Sequence, residues 1–259
     1  MITNVAVGFD NIDLDAAAKK GIAVTNTPDV LTQSVAEFVF AHILGQSRRV
    51  IESDKYIREG GFTNWSMNLM LGGELKGKTI GVIGFGKIGQ TLVSIAKGFG
   101  MNVVYNNRSG ELDTYEGTSG VAYATVNELL ASSHYVVLLT PLTDETRYLI
   151  QAEELKKMKS SAVLINMARG PVVKESDLVQ ALKQGEIAGA GLDVFEFEPA
   201  VSEELKRMDN VVLTPHIGSA THEARLRMVT CAATNAKQVL EGMDCLHVVN
   251  KELLESYGN

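Results

Sequence analysis

Three short segments of this 259-residue chain carry groups suited to chemistry. Asn166–Met167–Ala168–Arg169–Gly170 follows the apolar run Ala162–Ile165. Gly191–Leu192–Asp193–Val194–Phe195–Glu196–Phe197–Glu198–Pro199 holds two spaced carboxylates at Asp193 and Glu198. Thr214–Pro215–His216–Ile217–Gly218–Ser219–Ala220–Thr221 holds an imidazole. A guanidinium can fork onto a carboxylate substrate. An imidazole can give a proton to a carbonyl oxygen, and a glutamate beside it favours the charged ring and fixes its orientation. An Arg, a carboxylate and a His converging on a cofactor edge suit hydride transfer to an α-keto acid. His42, His134, His222 and His247 stand in no such setting and are expected to be structural.

The cofactor half of that chemistry is written at Gly84–Phe85–Gly86–Lys87–Ile88–Gly89. The β-branched run Thr79–Ile83 leads into it, a helical segment Gln90–Lys97 leaves it, and a second β-like run, Asn102–Tyr105, follows. In this strand–turn–helix–strand setting the glycines separate by task. Gly84 permits the tight turn, Gly86 lets backbone approach a pyrophosphate, and Gly89 lets the helix pack close on the strand. The helix N-terminus offers unpaired N–H groups to the phosphates.

These segments must be held by elements around them. From Thr79 to Thr214 apolar runs alternate with helical ones. Strands are expected at Thr79–Ile83, Asn102–Tyr105, His134–Leu139, Ala162–Ile165, Ala190–Asp193 and Val211–Leu213, and helices at Lys87–Phe99, Val126–Ala131, Ala152–Met158 and Ser176–Gln184. Such alternation implies a doubly wound parallel sheet, covered on both faces, with ligands at the carboxyl ends of the strands. Outside this block, residues 1–30 read as a strand, a short helix (Asp13–Lys20) and a second strand (Ile22–Thr25). Thr32–Ile57 reads as one long helix, Gly60–Gly73 as a glycine-rich arm with Trp65, Thr221–Gly242 as a second long helix, and Leu246–Val249 as a short tail.

Composition narrows the function. The net charge of −7 (24 basic against 31 acidic side chains) comes without a basic block, which argues against nucleic acid and anionic membrane as partners. Cys231 and Cys245 are too few for a disulfide framework, and no run reaches membrane-spanning length; a cytoplasmic protein is expected.

Taken together, the motifs resemble the D-isomer-specific 2-hydroxyacid dehydrogenase family, in particular its glyoxylate/hydroxypyruvate (2-ketogluconate) reductase branch. The resemblance runs through Val7–Asp13, Asn26–Thr27–Pro28, Thr32 with Val35–Ala36–Glu37, Gly84–Gly89, Pro141–Leu142–Thr143 with Glu145–Thr146, Asn166–Gly170, Asp193 with Glu198–Pro199, and Pro215–Gly218. It implies that Arg169 binds substrate, that Glu198 pairs with the catalytic His216, and that His216 donates the proton. It also implies that Asp193 meets the nicotinamide amide and that backbone N–H groups of Val7 and Gly8 help hold the substrate carboxylate. Further cofactor contacts are implied at Gly84, Gly86, Lys87, Ile88, Gly89, Thr140, Pro141, Thr146, Met167, Ala168 and Gly218. At the ribose position stands Asn107, followed by Arg108 and Ser109, with no carboxylate before Glu111. That set suits a 2′-phosphate, so NADP is expected, with NAD the alternative.

The implied architecture is a Rossmann domain over residues 31–218 plus an incomplete flavodoxin-like substrate domain. The latter comprises a remnant over 1–30 and a returning helix over 219–259. The family begins with a longer segment, so this chain is expected to start inside the substrate domain and to leave its cleft half built. A homodimer through the Thr32–Ile57 helix and the following arm is expected. Leu139 stands where many relatives place a His. The rival readings are an NAD-dependent phosphoglycerate or D-lactate dehydrogenase, a nucleotide-sensing corepressor-like interaction protein, and an inactive cofactor binder.

Overall fold

The computed structural model describes residues 1–115 and 117–257. In chain order its elements are β1 (Ile2–Thr3), α1 (Leu14–Lys19), β2 (Val24–Thr25), α2 (Thr32–Ser47), α3 (Val50–Arg58), β3 (Thr79–Ile83), α4 (Lys87–Gly98), β4 (Asn102–Asn106), β5 (Val121–Tyr123) and α5 (Val126–Ser132). There follow β6 (Tyr135–Leu138), α6 (Ala152–Lys157), β7 (Val163–Asn166), α7 (Glu175–Gln184), β8 (Gly189–Leu192), β9 (Val211–Leu213), α8 (His222–Leu240) and α9 (Lys251–Tyr257). Two compact units emerge: Val35–Gly218, and Met1–Ser34 with Ser219–Asn259.

In the larger unit, β3 to β9 form a parallel seven-stranded sheet in the order β5-β4-β3-β6-β7-β8-β9. The period-two alternation of its strands sends side chains to opposite faces. Val136, Leu138 and Leu164 enter one apolar cluster, while Val137, Ile165, Ile80 and Val82 enter the other. Both faces are therefore dry, as a parallel sheet requires. Helix α4 covers one face by burying Gly89, Leu92, Val93 and Ala96, an i, i+3, i+4, i+7 stripe. Ala36, Val39, Phe40 and Ile43 of α2 repeat that spacing. The chain winds outward from β3 through β4 to β5, then crosses to β6 and winds the other way. A crevice must open where the direction reverses, at the carboxyl ends of β3 and β6.

The smaller unit is held differently. β1 and β2 pair in parallel, and the Asp13 side chain caps α1 by accepting from the Ala16 amide at 2.9 Å. The C-terminal segment is fastened to these strands by buried asparagines. Asn250 accepts from the Val24 amide at 2.9 Å and donates to the Ile22 carbonyl at 3.0 Å. Asn235 on α8 donates to the Asn26 carbonyl at 2.8 Å. Tyr257 on α9 donates to Asp15 at 2.6 Å.

Three features depart from the sequence reading. The expected single helix over 32–57 is broken into α2 and α3, with Arg49 in the left-handed conformation at φ 52°. The cause is distant in sequence: the Ser47 carbonyl accepts the Gly73 amide at 2.8 Å, so the returning arm takes an acceptor that would prolong the helix. Close approach there leaves no room for a side chain on Gly72, whose Cβ would stand 2.2 Å from the Ser47 oxygen. The short β5 and the terminal α9 were not anticipated.

Candidate active site

The glycine turn has the geometry of a dinucleotide cradle. Gly84 directly follows β3 at φ 95°, and a Cβ there would lie 2.7 Å from backbone atoms of Leu139 and Thr140. Only glycine satisfies both demands. Gly86 is the N-cap of α4, offers no side chain to the first turn, and has open space where a Cβ would project. A Cβ on Gly89 would stand 3.1 Å from the Gly84 carbonyl oxygen and from the side chains of Phe85 and Val82, a tight fit that favours glycine. Beyond β6, the buried Thr140 hydroxyl has no hydrogen-bond partner among the described residues. The start of a twelve-residue helix, an open backbone at Gly86 and an orphaned hydroxyl at the switch point fit a nicotinamide dinucleotide. Lys87 and Ile88 form the first helical turn. Pro141 and Thr146 belong to a compact loop after β6, in which the Thr146 hydroxyl donates to the Pro141 carbonyl at 2.7 Å.

Asn107 follows the last residue of β4 and donates to the Ser109 hydroxyl at 2.9 Å. That bond uses a lone pair of Ser109 and leaves its proton for another acceptor. Arg108 is exposed. The Glu145 carboxyl is held below its usual range, chiefly by the Thr143 hydroxyl, with Arg108 contributing.

Arg169, Glu198 and His216 sit at the carboxyl ends of neighbouring strands. Arg169 follows β7 and is framed by Asn166, which donates to the Arg169 carbonyl and accepts from the Ala168 amide, both at 3.0 Å. Met167, half-buried, and Ala168, buried, complete that turn. Gly170 meets the next loop so closely that a Cβ would stand 1.8 Å from the Phe195 carbonyl oxygen. That loop is also tied to α7, where the Glu175 amide donates to Glu196 at 2.9 Å. Glu198 then uses both oxygens: one accepts from the Phe195 amide at 3.0 Å, the other faces His216 Nδ1 at 3.1 Å. With Nδ1 so engaged, Nε2 is the nitrogen left for a substrate.

His216 is itself in the left-handed conformation, at φ 55°. Its amide donates to the carbonyls of Asp193 at 2.8 Å and Thr214 at 3.0 Å. The buried Asp193 side chain accepts from the Ile217 amide at 2.8 Å, the Gly218 amide at 2.7 Å and the Thr214 hydroxyl at 2.6 Å. Sequence reasoning singled out Asp193 for the cofactor and missed this grip on the histidine turn. The Gly170 contact was also missed; a glycine directly after an arginine at a strand end was the available signal.

The sequence pattern described as D-isomer specific 2-hydroxyacid dehydrogenase, NAD binding domain, matches residues 40–218. The chain belongs to that family. This 2-hydroxyacid dehydrogenase is 48% identical to a glyoxylate reductase of Pyrococcus furiosus over 259 residues, covering 98% of the chain and 77% of the relative. Among solved structures it resembles a glyoxylate reductase of Paecilomyes thermophila, at 36% identity and a TM-score of 0.88, covering 97% of the chain and 75% of that structure. It also resembles an NADPH-dependent glyoxylate/hydroxypyruvate reductase of Sinorhizobium meliloti in complex with NADP and malonate. There the identity is 34% and the TM-score 0.85, with 95% of the chain and 76% of that structure covered.

The remaining expected residues of the dehydrogenase lie in the smaller unit. The Val7 carbonyl accepts from Asn26 at 2.8 Å and the Gly8 carbonyl from Asn4 at 2.7 Å. His247 is engaged with Asn235 at 2.9 Å, and in the larger unit the His134 ring accepts the Thr79 amide at 3.1 Å.

Proposed function

We propose that this enzyme reduces a small 2-keto acid of the glyoxylate, hydroxypyruvate or 2-ketogluconate kind to the D-2-hydroxy acid. The observation that carries the reading is the His216–Glu198 pair at 3.1 Å, set beside the Arg169 turn. A bound nicotinamide cofactor supplies the hydride. Arg169 forks onto the substrate carboxylate and fixes which face of the carbonyl is presented. His216 Nε2 gives its proton to the carbonyl oxygen as the carbon is reduced, so the product leaves as a hydroxyl. Glu198 holds the ring from the opposite nitrogen, and Asp193, gripping the turn, would meet the amide of a bound nicotinamide. The protein is read as cytoplasmic; among the described residues no helix is long and apolar enough to cross a membrane.

The cofactor is NADPH in preference to NADH. A neutral Asn107 stands where a carboxylate would hold ribose hydroxyls, and Arg108 and Ser109 offer a charge and a donor to a 2′-phosphate. The S. meliloti relative is described with NADP. Spectrophotometric turnover of glyoxylate, hydroxypyruvate and 2-ketogluconate with each cofactor tests both statements. His216→Asn is expected to lower kcat by roughly 10²–10⁴ while cofactor binding survives. Arg108→Ala is expected to raise the KM for NADPH about ten- to a hundred-fold and leave NADH nearly unchanged. Asn107→Asp should turn the preference toward NADH. Wild-type turnover in His216→Asn removes that residue as proton donor, and equal damage to both cofactors in Arg108→Ala removes the NADP assignment.

The arm after α3 exposes Trp65 at 75% and Met67 at 78%, with Phe62 and Leu71 beside them in sequence. We read this surface as the core of a twofold homodimer. Sedimentation should give a dimer at micromolar concentration; a monomer there would refute the assignment.

A further inference from the structure

We propose that His42 is a positioning residue for the acid–base histidine, acting through Thr214 and Asp193 on the turn that carries His216. The proposal rests on the reading of His216 as proton donor.

His42 lies on α2, 1% exposed, with its ring edge-on to Phe38. It presses on β8 at Gly191, where a Cβ would come within 2.7 Å of its Nδ1. One turn further along α2, Gln46 donates to the Asn210 carbonyl at 2.8 Å, so a polar face of the helix runs over β8 and the segment entering β9. The glycines of β8 make room for it.

The proton inventory fixes the direction of the chain. Thr214 Oγ1 lies 2.6 Å from Asp193 Oδ1 and 3.0 Å from His42 Nε2. A hydroxyl has one proton, and a carboxylate can only accept it. The Thr214 proton therefore goes to Asp193, and His42 must donate from Nε2 to a Thr214 lone pair. This leaves Nδ1 unprotonated, and Nδ1 is indeed the buried ring nitrogen without a partner among the described residues. Burial pushes the imidazole down to about 4, against the opposing pull of Asp193, so the ring is neutral near pH 7. The result is a directed relay: His42 Nε2–H to Thr214, Thr214 O–H to Asp193, and Asp193 to the amides of Ile217 and Gly218. Without the first donor, the Thr214 hydroxyl keeps its bond to Asp193 but is no longer anchored to α2, so hydroxyl and carboxylate are free to shift together. The grip of Asp193 on the Ile217 and Gly218 amides then loosens, and the left-handed His216 loses part of what fixes its ring against Glu198.

An orphaned Nδ1 inside an apolar shell costs free energy. A merely structural residue at this place would be better as leucine, which makes His42→Leu the informative variant. It should fold with an unchanged or higher Tm. Amide hydrogen exchange at Ile217 and Gly218 should accelerate about tenfold or more, kcat for keto acid reduction should fall about tenfold, and the KM for cofactor should stay within about twofold. His42→Gln, which can still donate, should recover most of kcat. Thr214→Val cuts the relay without touching α2, and in combination with His42→Leu should add little further loss. Unchanged exchange at Ile217 and Gly218 in both single variants overturns the proposal, as does faster exchange with wild-type kcat. If the wild-type enzyme reduces none of the keto acids, the reductase reading fails on its own, and the exchange measurement still decides whether His42 tethers the turn.

Discussion

The two units solve the problem of holding a parallel strand pair in different ways. The larger buries long apolar side chains on both sheet faces, with Ile80, Val137, Leu138, Leu164 and Ile165 at most 0% exposed. The smaller buries chiefly small residues, such as Ala17, Ala18, Ala224 and Ala232, and closes on the amides of Asn235 and Asn250. Dispersion and the hydrophobic effect are non-directional, so the large sheet tolerates exchange among similar shapes. Side-chain amides bonded to specific backbone groups demand one register. The larger unit is thus stabilised by volume, the smaller by address.

That contrast can be tested by removing each kind of support. Leu164→Ala opens a cavity in the middle of the sheet and should cost about 2–5 kcal/mol, read as an earlier urea midpoint for the larger unit. A loss below about 1 kcal/mol would show that the sheet does not depend on packing there. The next effect is in pH. His42 has its folded-state pKa depressed to about 4, while an unfolded histidine titrates near 6.5. Its neutral form is therefore favoured by folding, so the stability is complete above about 6.5 and is lost as pH falls towards 4. The full window is worth about 3 kcal/mol, and His42→Leu should flatten the stability–pH slope between those limits; an unaltered slope would place the acid sensitivity elsewhere. The smallest effect is Asn250→Ala, about 1–3 kcal/mol. It should show as local opening, with faster proteolysis of residues 241–257 and an unmoved midpoint for the larger unit. A shift of the whole transition would dissolve the distinction between the units.

The same contrast explains what could be read in the sequence. β3, α4, β6 and β7 were legible because apolar runs and helical stripes are local patterns, and the glycine turn because its spacing is local too. Arg169, Glu198 and His216 stood out as candidates because each lies a few residues beyond an apolar run. β5 was not, since Val121–Tyr123 is only three residues long and borrows its regularity from β4. The break at Arg49 depends on Gly73, and α9 on partners such as Asp15, none of which leaves a periodic trace. His42 looked structural because its purpose depends on Thr214, 172 positions away.

The contact between Gly170 and the Phe195 carbonyl bears on attempts to change what this enzyme accepts. Gly170, next to the arginine proposed to grip the substrate, is pressed backbone to backbone against the loop that carries Glu198, with no side chain to act as a spacer. Libraries that randomise the neighbourhood of Arg169 to admit bulkier keto acids will be dominated by inactive clones wherever position 170 is allowed to vary. Those that hold it fixed should explore substrate range without disturbing acid–base chemistry.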